Sequence, residues 1–399
     1  MHIVFVTAVF ANNLKKPLTG MPAYIEKITR LLKKNGHTVE IIAGAKNSSK
    51  WSFDGIKVYN CKCVQQLGDN FFTIAQNVFQ RECILQKKLK EINFSQKVDI
   101  VQYAGWSGVG IGHSISCPSV LRLTTYSKIT YKENESWGKV AKYFSVWERM
   151  AGRKVDYVIS PSILLKETFS REIHKRVYLM ETPYDSSVNE DTKIFEQKLA
   201  NKKYILFYGS ASKNKGFETI SDMMPCFLRK HPEAYFVVAG WDVETKKGSA
   251  IQVLKNKLGE EKNRFIFLGP QLHETLYPII RNAQVVLIPS LADNLPNTCL
   301  EALSLDQIVI GTYDTSLEQL IKNEINGFLS IPGDYKDLLE ATEKAYRLTQ
   351  EERNKLIQNS QIILRKYNPE YAVDKLIRFY EWCLANNKVT TRKIIRVKK

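Results

Sequence analysis

Long apolar runs are missing from this sequence. No stretch approaches the roughly 20 apolar residues that a membrane-spanning helix needs. The seven cysteines are an odd number, spread without a framework, and Cys61 and Cys63 have the wrong spacing for a zinc knuckle. The opening MHIVFVTAVF has no basic leader and no small-residue cleavage site, so it reads as a buried first strand rather than a signal peptide. Reduced thiols in a cytoplasmic protein are the expectation. Acidic residues are few as well: 41 Asp and Glu face 58 Lys and Arg, a net charge of +17. The deficit is uneven. Residues 1–200 hold 29 basic and 18 acidic residues, and the tail KVTTRKIIRVKK (388–399) holds 6 basic residues and no acid. This excess fits an anionic partner, whether a membrane surface, nucleic acid or a phosphorylated substrate, or else a merely solvated Lys-rich surface. Nucleic acid is disfavoured, because zinc-finger spacing, RNP-like aromatic motifs and a helix-turn-helix pattern are absent.

What the sequence does contain is alternation. Short apolar runs such as HIVFVTAVF, HTVEIIAG, VDIVQYAG, SVLRLTT and DYVISPS are separated by amphipathic stretches. A second set follows with KYILFYGS, AYFVVAG, RFIFLGP, QVVLIPS and QIVIGT. Strands alternating with helices predict parallel sheets with right-handed crossovers. The chain, 399 residues with 44% hydrophobic content, is long enough for two cores. The expected fold is α/β, with two doubly wound Rossmann-like domains facing across a cleft. The apolar pattern lapses over METPYDSSVNEDTKIFEQKLANKKY, which sets the domains at 1–184 and 185–368. An amphipathic helix at about 369–387, with Leu376, Phe379, Tyr380 and Leu384 on one side, is expected to pack back on the first domain, ahead of the basic tail 388–399. In the first helix, Tyr24, Ile28, Leu31 and Leu32 form an apolar face. The stretch Phe72–Lys90, with Phe79 and Leu85 beside Lys87, Lys88 and Lys90, reads as an interfacial contact or as a helix packed on its sheet.

Three loops at strand ends carry the polar residues, where open parallel sheets bind ligands. The first, ANNLKKPLTGMPAY, brings Gly20 to a helix start, where unpaired N–H groups suit phosphate. It lacks the G-x-G-x-x-G pattern. The second, YGSASKNKGFETI, offers Lys213 and Lys215 as cations for a diphosphate. Cations at a helix start run against the dipole, which disfavours a purely structural role. The third, IPSLADNLPNTCLEALSLDQIVIGT, sets Asp293 in the loop and Glu301 about one turn into a helix. Two carboxylates so placed can grip hydroxyls on two parts of one extended ligand. Alternatively, Asp293 closes an Asx turn and Glu301 compensates a helix dipole.

This third loop resembles the E-x7-E signature of retaining glycosyltransferases of the GT-B fold, family 4, with Asp293 in place of the first Glu. LTGMPAYIEKITRLLKKNGHTVEII, VWERMAGRKVDYVISPS, RFIFLGPQLHETLYPIIRNAQVVLIPSLADNLPNTCLEAL and TSLEQLIKNEINGFL are similar to that family in order, over nearly the whole chain. The resemblance implies a catalytic set of Lys215, Asp293 and Glu301. Glu301 would hold the ribose of a nucleotide, Asp293 the donor sugar, and Lys215 the leaving diphosphate. Gly20, Asn294, Leu295, Pro296, Asn297 and Thr298 would face sugar and phosphate. Gly269, Gln271 and Leu272 would hold the base, largely through backbone. Thr19 replaces a usual glycine, Ser210 a usual arginine and Thr124 a usual histidine, with Lys213 a substitute cation near Ser210. The implied reaction moves a hexose-type unit from a nucleoside diphosphate sugar to a saccharide or lipid-linked saccharide, with no metal and no other cofactor, at a cytoplasmic site or the inner face of the membrane. Two competing readings are a nucleotide-sugar epimerase, which the six unclustered histidines disfavour, and a decayed binding or scaffold subunit, which Ser210, Thr19 and Thr124 favour.

Overall fold

The computed structural model describes residues 1–14, 20–64, 68, 70–130, 138–185 and 188–386. Thr19 and the basic tail lie outside the described residues.

The first sheet has eight strands: β1 (His2–Thr7), β2 (Thr38–Ala45), β3 (Ser49–Phe53), β4 (Ile56–Lys62), β5 (Ile100–Gly105), β6 (Ser119–Leu123), β7 (Tyr157–Ser160) and β8 (Val177–Leu179). Their order is β3-β4-β2-β1-β5-β6-β7-β8, parallel except for the β3–β4 pair. β1, β5 and β6 are buried along their whole length, as expected of parallel strands covered on both faces. Helix α1 (Gly20–Lys34) buries Tyr24, Ile25, Ile28 and Leu32, and Leu31 is only half-buried. On the opposite face lie α2 (Phe71–Ser95), the short α3 (Ser127–Thr130), α4 (Gly138–Lys154) and α5 (Ile163–Ile173). The Asn70 side chain accepts the Thr73 N–H at 3.0 Å and so starts α2.

After α6 (Lys193–Lys198) comes the second sheet. It contains β9 (Lys203–Tyr208) and β10 (Ala234–Ala239), then, beyond a small ribbon of β11 (Glu244–Thr245) and β12 (Gly248–Ser249), β13 (Phe265–Phe267), β14 (Val285–Leu287), β15 (Val309–Thr312) and β16 (Phe328–Ser330). Its order is β13-β10-β9-β14-β15-β16, with every pair parallel. Around it pack α7 (Phe217–Lys230), α8 (Ala250–Leu258), α9 (His273–Arg281), α10 (Asn297–Ser304), α11 (Tyr335–Tyr346) and α12 (Gln350–Leu364). The last helix, α13 (Pro369–Asn386), returns to the first domain and packs against α1. Its buried stripe is Val373, Leu376, Phe379, Tyr380 and Cys383. Leu384 is not part of it: it is 37% exposed, because the stripe follows the 3.6-residue period to Cys383.

Both sheets reverse direction at an inner strand. In the second sheet the chain leaves β9 one way through β10 to β13, then crosses back to place β14 on the other side of β9. The loops after β9 and β14 therefore open side by side at the crevice, where α/β sheets hold ligands. These are the loops of Lys215 and Asp293. The corresponding reversal in the first sheet lies between β1 and β5, and the loop after β1 leads to Gly20.

Candidate active site

The β9 loop runs Gly209–Ser212 and closes in a turn of 3-10 helix at Lys213–Lys215 before α7. Gly216 joins the two with φ +74, and a Cβ there would lie 1.9 Å from the Pro289 carbonyl oxygen. Only glycine lets the two loops touch this closely. Leu291 N–H donates to Asn214 O at 2.9 Å and completes the zipper. The result is direct contact between Lys215 Nζ and Asp293 Oδ2. Ser290 Oγ also reaches Asp293 Oδ2, at 3.5 Å. Ser210 is half-buried and Lys213 is exposed.

The loop from Asp293 to Pro296 is tightly held. Asn294 N–H donates to Asp293 Oδ1 at 2.9 Å, and Leu295 N–H donates to Ser316 Oγ at 2.8 Å. Ser316 Oγ in turn donates to Asp293 O at 2.7 Å. Leu295 sits at φ +51, a left-handed conformation that costs a non-glycine residue energy, and its side chain is buried. This revises the expectation for the segment. The Asn294 and Leu295 amides already have acceptors, and Pro296 has no N–H. Asn297 and Thr298 begin α10, where N–H groups have no intrahelical acceptor. No side chain caps this helix. Asn297 is exposed and Thr298 half-buried, so their amides are the available donors.

Asn294 does something the sequence did not suggest. Its side chain accepts a hydrogen bond from Ser162 Oγ at 2.6 Å and donates to Thr124 O at 2.7 Å, both in the first domain. Thr124 thus meets the second domain through its carbonyl. Gln319 makes a parallel bridge, accepting from Ile163 N at 2.7 Å and donating to Pro161 O at 3.1 Å. The domains are in contact along this flank, leaving a space of about 10 Å³ beside Asp293 and Asn294.

Glu301 lies on α10, one turn in, and is buried. Its Oε1 is 3.5 Å from His273 Nε2, the first residue of α9. The Glu301 contact is the main cause that raises the His273 pKa, against partial burial. Burial lifts the Tyr208 and Tyr184 hydroxyl pKa values, and the Glu301 charge adds to both. Tyr208 donates its hydroxyl to Thr298 O. Tyr184 and Tyr277 are hydroxyl to hydroxyl at 3.1 Å. Lys27 comes from α1, two turns beyond Gly20. Burial lowers its pKa, and Asp185 and Glu301 oppose the shift, so its ammonium stands within electrostatic reach of Glu301 across the cleft. Lys27 and His273 were not visible as site residues in the sequence. Lys27 is one lysine of an amphipathic helix, and His273 immediately follows the expected base-holding loop.

That loop turns at Gly269, φ +70. The Gln271 side chain secures it, donating to Leu268 O at 2.8 Å and accepting from Thr275 Oγ1 at 3.1 Å. Leu272 is 58% exposed at the start of α9. The Gly269–Leu272 loop leads directly into His273, which meets Glu301, and Lys215 with Asp293 form a second cluster in the loops that precede α7 and α10. Gly20 opens α1 with φ +60 and no heavy atom near its missing Cβ.

Residues 189–362 match the family model described as Glycosyl transferases group 1. The match covers 174 of the 399 residues, nearly the whole second domain. The chain is accordingly a glycosyltransferase. An uncharacterized glycosyltransferase of Methanocaldococcus jannaschii is 22% identical, covering 78% of this chain and 81% of the relative. The phosphatidylinositol N-acetylglucosaminyltransferase GPI3 subunit of Saccharomyces cerevisiae is 21% identical, over 95% of this chain and 80% of the subunit. Among solved structures, sucrose-phosphate synthase from Thermosynechococcus elongatus superposes with TM-score 0.75 at 16% identity, covering 96% of this chain and all (100%) of that one. Anabaena HepE, solved in complex with UDP, gives TM-score 0.71 at 16% identity, with 96% and 100% covered. The glycosyltransferase has the GT-B architecture of paired Rossmann-like domains. No helix among its described residues is long and apolar enough to cross a membrane.

Proposed function

We propose that this glycosyltransferase moves a hexose-type sugar from a nucleoside diphosphate sugar to a saccharide or lipid-linked saccharide acceptor, with retention at the anomeric carbon, in the manner of family 4 and in the service of surface polysaccharide synthesis. The observation that carries the reading is the convergence at the second switch point. Lys215 and Asp293 touch, the uncapped α10 start lies beside them, and Glu301 lies one turn along the same helix with His273 against it. HepE, of the same architecture, was solved with UDP and with UDP and glucose, which supports a nucleotide sugar as donor.

In this mechanism Glu301 accepts the ribose hydroxyls. The donor diphosphate draws Lys215 away from Asp293 and lies over the Asn297 and Thr298 amides. Asp293 is then free to accept hydroxyls of the sugar. As the glycosidic C–O bond breaks, negative charge collects on the diphosphate, and Lys215 and the helix start stabilise it. Two cationic or dipolar partners of this kind serve in place of a divalent ion. The interdomain bridges of Asn294 and Gln319 hold the domains together over the site and exclude water. The acceptor enters from the first domain, its hydroxyl oxygen bonds to the anomeric carbon on the face the diphosphate leaves, and its proton passes to the departing diphosphate.

Thermal shift against nucleoside diphosphates and nucleotide sugars, with EDTA present, tests the reading. A ligand that binds only the folded chain raises the melting temperature. One diphosphate family stabilising the wild type, followed by sugar transfer from that donor, is expected. Silence across the whole panel would favour a decayed site.

A further inference from the structure

A large cavity lies outside these loops. It is a groove of about 890 Å³ along α2 on the first domain, lined by Val78, Phe79, Glu82, Gln86, Phe94 and Trp147 among others. This volume lies in the range of pockets that enclose small molecules. Its origin is topological. The β5–β6 crossover, residues 106–118, consists of turns and bends rather than a helix, so no crossover helix among the described residues covers the outer flank of α2. The inner flank packs normally, with Leu85 and Leu89 fully buried. On this flank the reading of a helix packed on its sheet holds. Phe79 is 72% exposed and Phe94 is 95% exposed. Single exposed aromatics are ordinary, but a pair lining one apolar groove marks a binding surface.

The floor is polar and incomplete. Glu82 is 3% exposed, and its Oε2 accepts from Gly110 N and Gly112 N at 3.0 and 3.2 Å. Its Oε1 has no hydrogen-bond partner among the described residues, and neither has Oε1 of Gln86, whose amide nitrogen donates to Tyr103 OH. Buried polar atoms without partners are uncommon and costly. At the rim stand Lys87 and Lys90, both exposed. Glu91, which also lines the groove, is bound to Lys88 at 2.5 Å, so its charge is compensated. The groove thus offers an apolar trough and two cations, above a floor that holds two buried oxygens without partners.

We propose that this groove binds an anionic glycerophospholipid at a membrane surface. A hydrocarbon chain lies along Phe79, Trp147 and Phe94, and the phosphate sits between Lys87 and Lys90. The site touches none of Lys215, Asp293 and Glu301, so it stands whether or not the transfer reaction is assigned correctly. It would hold the enzyme against the surface with α2 facing the lipid.

The test uses the full chain and sedimentation with vesicles of phosphatidylcholine, with and without phosphatidylglycerol. Binding is expected only with phosphatidylglycerol. Lys87→Glu with Lys90→Glu should weaken it by at least about fivefold per lysine, and Phe79→Asp with Phe94→Asp should abolish it. These side chains are exposed, so an unchanged melting temperature without ligand checks that each variant remains folded. Cys83 is exposed and lines the groove. Vesicles and short-chain phosphatidylglycerol should slow its alkylation by maleimide, and inorganic phosphate should not. Wild-type binding in both double variants overturns the proposal. So does unchanged alkylation of Cys83, equal protection by inorganic phosphate, or a loss of all binding on deletion of 388–399 with the groove variants unaffected.

Discussion

Replacing Glu301 with alanine removes a buried carboxylate, 8% exposed, whose Oε1 partner is His273 at 3.5 Å. If that carboxylate holds a ribose, the lost hydrogen bonds are charge-assisted, and each is worth about 1.5–3 kcal/mol. One such bond corresponds to a Kd for the nucleoside diphosphate about 10- to 150-fold higher. Isothermal titration calorimetry of wild type and variant measures this directly. Deoxyribonucleoside diphosphates make the test specific. The missing hydroxyl should weaken binding to the wild type and cost nothing further in Glu301→Ala, because the two losses describe one interaction. His273 gives an independent readout by NMR. Its pKa is raised chiefly by Glu301, so Glu301→Gln should move the titration down toward the ordinary 6.5. The sign follows for stability. A histidine with a raised folded pKa contributes fully below its unfolded pKa and loses that contribution as pH rises through the folded value. The stability gap between wild type and Glu301→Gln should therefore narrow above that value. An unchanged Kd in Glu301→Ala, or an equal deoxyribose penalty in both proteins, would refute the ribose assignment.

Three other outcomes are expected. Lys215→Ala should lower kcat about 100- to 1000-fold if it stabilises the departing diphosphate, with partial recovery in Lys215→Arg; wild-type turnover in the alanine variant removes it from the mechanism. Gly216→Ala should destabilise the second domain by about 2–5 kcal/mol, because its Cβ would meet the Pro289 oxygen at 1.9 Å with φ +74; an unchanged denaturation midpoint contradicts the loop contact. Burial pushes the Glu148 carboxyl up to about 7 from an ordinary 4.5, despite hydrogen bonds from Ser127 and Ser107. The folded state then binds more protons across that window, so stability should fall as pH rises through it, by about 3 kcal/mol, and Glu148→Gln should flatten the profile; urea midpoints for the first domain near pH 5 and pH 8 decide this.

The architecture was legible because parallel sheets buried on both faces leave continuous apolar runs, and these alternate with helical patterns throughout. The E-x7-E-like spacing of Asp293 and Glu301 was legible too, as was the zone of Lys213 and Lys215. The partners were not. His273 and Lys27 approach Glu301 from α9 and from the other domain, 28 and 274 positions away in sequence. Asn294 reads as a loop polar residue facing the donor, yet both ends of its amide are bound to the first domain. The groove on α2 exists because a crossover lacks a helix, while the sequence of α2 looks the same whether or not a neighbour covers it.

Local chemistry determined the elements. Apolar periodicity, the Asn70 cap and the glycine turns act over a few residues and are written in order along the chain. Which loops would meet was decided by strand order: the reversal at β9 puts Lys215 against Asp293, 78 positions on. Strand order depends on packing between distant segments, a free energy of burial shared among many residues, and no single stretch of sequence carries it.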